Sequence, residues 1–185
     1  MAQTPSTMRA LGSVAPDFKL PDVVSGKQFS LKEFNKGKAL VVLFICNHCP
    51  FVKHVAVELS ALGTDYISKG VSFVAISSND VVNYPDDAPD KMKEFALIHG
   101  FLYPYLYDET QQVAKAYDAA CTPDFFIYDA NLRLVYRGQL DESRPSNNIP
   151  VTGKDIRSAL EQILKGEPVA ADQKPSIGCN IKWKK

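Results

Sequence analysis

The chain has 185 residues, 45% of them hydrophobic, and 21 Lys+Arg balance 21 Asp+Glu to a formal charge of zero. That is enough apolar material for one domain with a full core, and without a basic stripe neither nucleic acid nor an anionic membrane is an expected partner. The longest apolar run, residues 39–45, is too short to span a bilayer. Residues 1–11 lack an apolar h-region, so the expected setting is a reducing cytoplasm, where four cysteines point to redox or metal chemistry instead of structural disulfides.

In chain order, residues 1–12 read as a flexible lead-in and Ala15–Leu20 as a short extended segment. Phe29–Asn35 follows Gly26 as a short strand and a turn of helix. The apolar run 39–45 is a buried strand. Val52, Val55, Leu59, Leu62 and Ile67 then recur at a helical period from about 50 to 68, and Gly70 ends that helix. Val71–Ser77 reads as a second buried strand, and 79–90 as a polar, proline-containing loop long enough to suggest a role beyond connection. Next come an amphipathic helix over Lys91–His99, a short strand over Tyr103–Tyr107 and a helix from Glu109 to about Tyr117. Phe125–Tyr128 and Leu132–Tyr136 flank Asp129-Ala130-Asn131 as a hairpin. A last helix over Gly153–Leu164 presents Ile156, Leu160, Ile163 and Leu164 on one face, and the tail 166–185 carries enough apolar residues to pack down. This order describes a single α/β domain with a central mixed sheet flanked by helices.

The junction of the first buried strand with the helix after it reads Cys46-Asn47-His48-Cys49-Pro50. A C-x-x-C pair there is suited to thiol–disulfide chemistry: two sulfurs can close a small ring, and the N–H groups and dipole of a helix start favour a thiolate. With Cys46 at the helix start and Cys49 further inside, Cys46 is the expected nucleophile and Cys49 the resolver. His48 can stabilise the Cys46 thiolate and make the disulfide more oxidising, or can simply face solvent. His54, about a turn further on, reads as a surface residue. Structural zinc would need a second ligand pair, and none follows, so neither metal nor cofactor is expected.

Further along, Thr122-Pro123 opens a strand, and the combination resembles the thioredoxin superfamily in its peroxiredoxin-like (AhpC/TSA, redoxin) branch. The matching pieces are APDFKL with GKQFSLKEF, the strand with CNHCP, TPDFFIYD and YRGQLD, over roughly residues 12–165. The resemblance implies a thioredoxin-like fold and a cis peptide at Thr122–Pro123, whose loop lies against the dithiol and contacts substrate. Two departures from the peroxidase pattern stand out. Ala39 and Leu43 occupy the places of the proline and threonine of P-x-x-x-T-x-x-C, and Pro123 stands where the later arginine would be. Without those donors a peroxide bond is poorly polarised. A Sco-type copper chaperone is also disfavoured, because the cysteine spacing differs and no histidine follows His99.

Cys121 and Cys179 are auxiliary thiols whose roles stay open: each is a buried small hydrophobe or a participant in exchange. The ending PSIGCNIKWK resembles that of a peroxiredoxin-like subgroup bearing C-x-x-C. The expected function is a thiol–disulfide oxidoreductase acting on a protein or small-molecule disulfide, recycled by a thiol reductant. A thiol-dependent peroxidase and a non-catalytic redox or metal-binding adaptor are the alternatives. The branch also admits a homodimer.

Overall fold

A computed structural model describes residues 3–185. Its centre is a five-stranded mixed sheet in the order β6-β5-β4-β8-β9, formed by β4 (Ala39–Phe44), β5 (Val71–Ser77), β6 (Tyr105–Tyr107), β8 (Asp124–Asp129) and β9 (Leu134–Arg137). β4 runs parallel to β5, β5 parallel to β6, and β8 antiparallel to both β4 and β9. Every residue of β4 is buried, because the strand is central and both sheet faces are covered; this is why it reads as a continuous apolar run without alternation. Val41, Leu43 and Ile45 face one core with residues of α2 (Pro50–Tyr66), α3 (Pro89–His99) and α5 (Lys154–Lys165), whereas Leu40, Val42 and Phe44 face a second with Phe18, Tyr117 and Phe126.

The remaining elements are short. β2 (Lys19–Pro21) and β3 (Gln28–Ser30) form a ribbon leading into α1 (Leu31–Phe34), where Ser30 and Glu33 make a capping box. The helix expected from Glu109 is trimmed to α4 (Gln112–Ala116), because 108–111 close a turn first: the Gln111 N–H donates to the Asp108 carbonyl and Gln111 takes a left-handed φ of 63°. Ile67, expected on the buried stripe of α2, is 38% exposed. The α-helix stops at Tyr66 and continues as a 3-10 turn, whose tighter winding rotates Ile67 off the stripe.

The ends of the chain differ most from expectation. β1 (Gln3–Pro5) and β10 (Ile177–Asn180) join β7 (Cys121–Thr122) in a separate antiparallel sheet, order β1-β10-β7. The lead-in read as flexible is thus paired from Gln3, then held by Ser6, whose N–H donates to the Ser176 carbonyl, and by Arg9, which donates to Asp118 and the Ala116 carbonyl. Met1 and Ala2 lie outside the described residues. Among the described residues, no helix is long and apolar enough to cross a membrane.

Candidate active site

β4 delivers the motif to the end of the sheet, and Ile45 extends the strand by donating its N–H to the Ile76 carbonyl. The helix starts where its apolar period suggests, near residue 50, but Cys46, read as lying at that start, falls outside it. Cys49 is the N-cap of α2 and Pro50 its first residue, so Cys46 precedes the helix by a full turn of loop. Proline is tolerated there because its missing N–H has no helical partner in any case.

The two sulfurs therefore meet different surroundings. Cys46 Sγ lies 3.4 Å from the Thr122 hydroxyl. Cys49 Sγ lies 3.1 Å from the Thr122 carbonyl oxygen and 2.8 Å from Cys179 Sγ. The Cys46 thiol is pushed well up because it donates to Cys49, because it is buried, and because the Asp87 carboxylate stands nearby. Cys49 is lowered to about 5, first by that donation from Cys46, against the cost of burial, with the Cys179 thiol, the Val52 amide of the first helical turn and Thr122 adding to the effect. The thiolate expected on Cys46 is thus favoured on Cys49 in this geometry. The helix start and the converging donors belong to the second cysteine, and the nearest carboxylate belongs to the first.

His48 points back into the molecule. Its Nδ1 lies 2.5 Å from Asp87 Oδ2, and its ring stacks on Tyr84 at 5.6 Å between centroids. The Asp87 carboxylate raises the His48 pKa, with burial opposing. Asp87 is fully buried in the 3-10 turn Pro85–Asp87. It accepts from the Asn47 N–H at 2.8 Å, the His48 N–H at 3.2 Å and the Asn79 amide at 2.8 Å. Burial pushes its carboxyl up, but His48, Asn79 and the Asn47 amide outweigh this and hold it below the usual carboxylate range. Asn47 in turn donates to the Asp86 carbonyl and accepts from the Tyr105 hydroxyl. The motif loop is therefore clamped from the loop 79–90. Reasoning from sequence passed over Asp87; the length of that loop was the signal that could have found it.

The Thr122–Pro123 peptide is cis. Thr122 touches both motif cysteines, while its strand edge is paired with β10, Cys179 opposite Thr122 and Asn180 opposite Cys121. Cys121 stands apart from this group: its Sγ is 3.5 Å from the Pro123 carbonyl, and burial drives its pKa strongly upward. His54 is only half-buried, yet its Nε2 is enclosed with no partner among the described residues. Donor atoms of Cys46, His48 and Asp87 lie within 4.8 Å of one another, a set that fits a three-ligand zinc site. A metal there would have to displace the bonds that Asn79 and His48 already make to Asp87. A cavity of about 550 Å³ between α5 and residues 169–174 contains no thiol and lies away from this chemistry.

The AhpC/TSA family profile matches residues 11–137. The thiol-disulfide oxidoreductase ResA of Geobacillus kaustophilus (strain HTA426) is 30% identical over 128 residues, 69% of this chain and 68% of that protein. Among solved structures, an uncharacterized conserved protein from Geobacillus kaustophilus superposes with a TM-score of 0.98 at 59% identity, covering 100% of this chain and 97% of that one. A putative thiol:disulfide interchange protein DsbE from Chlorobium tepidum shares the fold, with a TM-score of 0.67 at 18% identity over 84% of this chain and 98% of its own.

Proposed function

The chain belongs to the AhpC/TSA family, and on that premise we propose that it is a thiol–disulfide oxidoreductase cycling the Cys46–Cys49 dithiol against a disulfide substrate. The carrying observation is the pair itself: two buried sulfurs at and just before the start of α2, both in contact with Thr122 of the cis Thr122–Pro123 loop.

In this reading Cys46 makes the attack. Cys49 is hemmed in by Cys179 and the Thr122 carbonyl, whereas Cys46 has the Thr122 hydroxyl beside it. With its proton passed to Cys49, Cys46 is a thiolate, which attacks one substrate sulfur and releases the other as a thiolate. Cys49 then gives its proton to the released substrate thiolate and, its anion favoured by the Val52 amide and the Cys179 thiol, attacks Cys46 Sγ. The Cys46–Cys49 disulfide forms and the second substrate thiol leaves. A thiol reductant reverses the sequence. Both cysteines are at most 1% exposed, so reaction with an external disulfide requires local opening. The neighbours through which a protein or small-molecule disulfide can approach are the exposed Tyr84 and the partly buried His48 stacked on it.

Peroxide is a poor substrate in this scheme. Leu43 is fully buried in the apolar core, and Pro123 has no N–H to donate, so the Thr122 hydroxyl is the nearest side-chain donor to Cys46. We place the activity in a reducing, cytoplasmic setting, a reading supported by cysteines spent on exchange.

Two measurements test the proposal. With a disulfide-bonded protein, Cys49→Ala traps a mixed disulfide on Cys46 while Cys46→Ala traps none; trapping only in Cys46→Ala reverses the order of attack. Stopped-flow rates with hydrogen peroxide and with a protein disulfide, side by side, give slow oxidation like that of an ordinary thiol in the first case and catalysed, Cys46-dependent reduction in the second. Rapid peroxide oxidation makes the chain a peroxidase instead.

A further inference from the structure

Cys179 lies 130 residues from Cys49 in sequence, yet the two sulfurs are 2.8 Å apart, inside ordinary sulfur contact. This approach is built by the strand that carries Cys179. β10 is held on one side by β1 and on the other by β7, with Cys179 in register with Thr122. Below it, the Ser176 N–H donates to the Ser6 hydroxyl, and the Ser176 hydroxyl donates to the Pro123 carbonyl at 2.6 Å. Above it, the Ile181 N–H donates to the Ala120 carbonyl and the Lys182 N–H to the Asn79 side chain. Gly178 supplies a second, independent sign. A Cβ at that position would stand 2.1 Å from the Thr122 carbonyl oxygen, so only glycine lets the strand come close enough to set the next residue against the dithiol.

We propose that Cys179 is a third catalytic thiol, which exchanges with the Cys46–Cys49 disulfide to form a Cys49–Cys179 disulfide and return Cys46 as a thiol. The inference rests on the dithiol reading above and adds a second disulfide isomer to it. The step balances within the chain. The Cys179 sulfur, as its proton leaves, attacks Cys49 Sγ; the Cys46–Cys49 bond breaks and the Cys49–Cys179 bond forms. Cys46 departs as a thiolate and takes up the proton that Cys179 gave. No electrons enter or leave, because the substrate disulfide has already supplied the oxidation. Bond formation needs the sulfurs to close from 2.8 Å to about 2.05 Å, a shift within side-chain reach.

The consequence is a second oxidised state. In the second isomer Cys46 is again a thiol while the oxidation is held between Cys49 and Cys179, all three sulfurs being buried. Cys179 is held protonated up to about 12 by burial and by Cys49, so its proton must be taken inside the site, and the departing Cys46 thiolate is the acceptor at hand.

The test uses the wild-type chain. Reduced protein receives one equivalent of bis(2-hydroxyethyl) disulfide, is quenched in acid, unfolded in N-ethylmaleimide and mapped by tandem mass spectrometry. The expected map contains a Cys49–Cys179 crosslink with Cys46 alkylated, alongside Cys46–Cys49. A map with Cys46–Cys49 alone and Cys179 fully alkylated overturns the third-thiol role and leaves the dithiol reading standing. A map with no intramolecular disulfide overturns both. Cys46→Ser gives an independent arm: diamide is expected to convert it to an intramolecular Cys49–Cys179 disulfide with loss of two titratable thiols. Retention of those thiols, or intermolecular crosslinking alone, overturns the proposal.

Discussion

Asp87→Asn isolates the electrostatic part of the motif clamp, because the amide keeps an oxygen for the Asn47 and His48 N–H groups and removes the charge. Donor atoms of Asp87, His48 and Cys46 lie within 4.8 Å of one another. A unit charge at that distance is worth about 3 kcal/mol at an effective dielectric of about 20, or roughly two pH units on an isolated neighbour. His48, when protonated, cancels part of this, so the expected net effect is about one unit. The signs are fixed by geometry. The carboxylate raises Cys46 and raises His48, so its loss lowers both. The assay is the pH dependence of iodoacetamide labelling at Cys46, resolved by mass spectrometry, with the His48 ring followed by NMR in the same samples. The reasoning is refuted if the Cys46 midpoint stays put or rises while circular dichroism shows an intact fold. Stability carries a matching signature. The His48 contribution is complete below the unfolded histidine pKa and fades as pH rises through the raised folded value. The Asp87 contribution is complete above the ordinary carboxylate pKa and fades as pH falls through the lowered one. The variant flattens both slopes.

Three further outcomes follow from the same geometry. Asp124 is fully buried and pushed by burial up to about 6, so the wild type loses stability as pH rises from the unfolded carboxylate value of about 4 through the folded one. Asp124→Asn removes that slope, a relative gain of about 2 to 3 kcal/mol at pH 7 over pH 4, and urea midpoints that fall in parallel for both proteins contradict it. Gly178→Ala forces β10 off Thr122 and costs about 1 to 3 kcal/mol in urea unfolding, with loss of any Cys49–Cys179 crosslink; an unchanged midpoint shows that the close approach is unimportant. His48→Ala removes a cation that favours the reduced, thiolate form, so the dithiol potential moves to more negative values by about 30 mV, equivalent to ~1.4 kcal/mol. Equilibration against glutathione reads this shift, and an unmoved potential means His48 is electrically silent.

Much of the fold is legible because its signals are local. β4 and β5 are apolar runs of strand length, Gly70 and Gly100 end their helices in left-handed conformations, and Asp129 closes the β8–β9 turn through its own side chain. The dithiol and the Thr122-Pro123 loop are legible for the same reason. What sequence does not disclose is set by contacts between distant segments. Nothing in residues 3–5 announces a strand, since β1 exists only where β10 offers an edge. Asp87 is one of several acidic residues in a polar loop, and its bonds to Asn47 and His48 distinguish it. The surroundings of the two sulfurs are hidden for the same reason: that Cys49 caps α2 beside Cys179, while Cys46 stands near Thr122 and Asp87, is set by segments far away in the chain.

The β1-β10-β7 sheet also has a bearing on how the molecule is made. Ser6 and Ser176 bond across a separation of 170 residues, and β10 is the piece that joins the first described strand to the edge of the cis-proline loop. A ribosome releases the dithiol long before it releases that strand. During synthesis the five-stranded sheet can therefore form around Cys46 and Cys49 while the third sulfur and the cover on Thr122 are still missing. Pairings of such long sequence separation form slowly, because closing the loop costs entropy before any contact rewards it. The nascent chain thus passes through an interval in which its reactive pair is assembled and its enclosure is not.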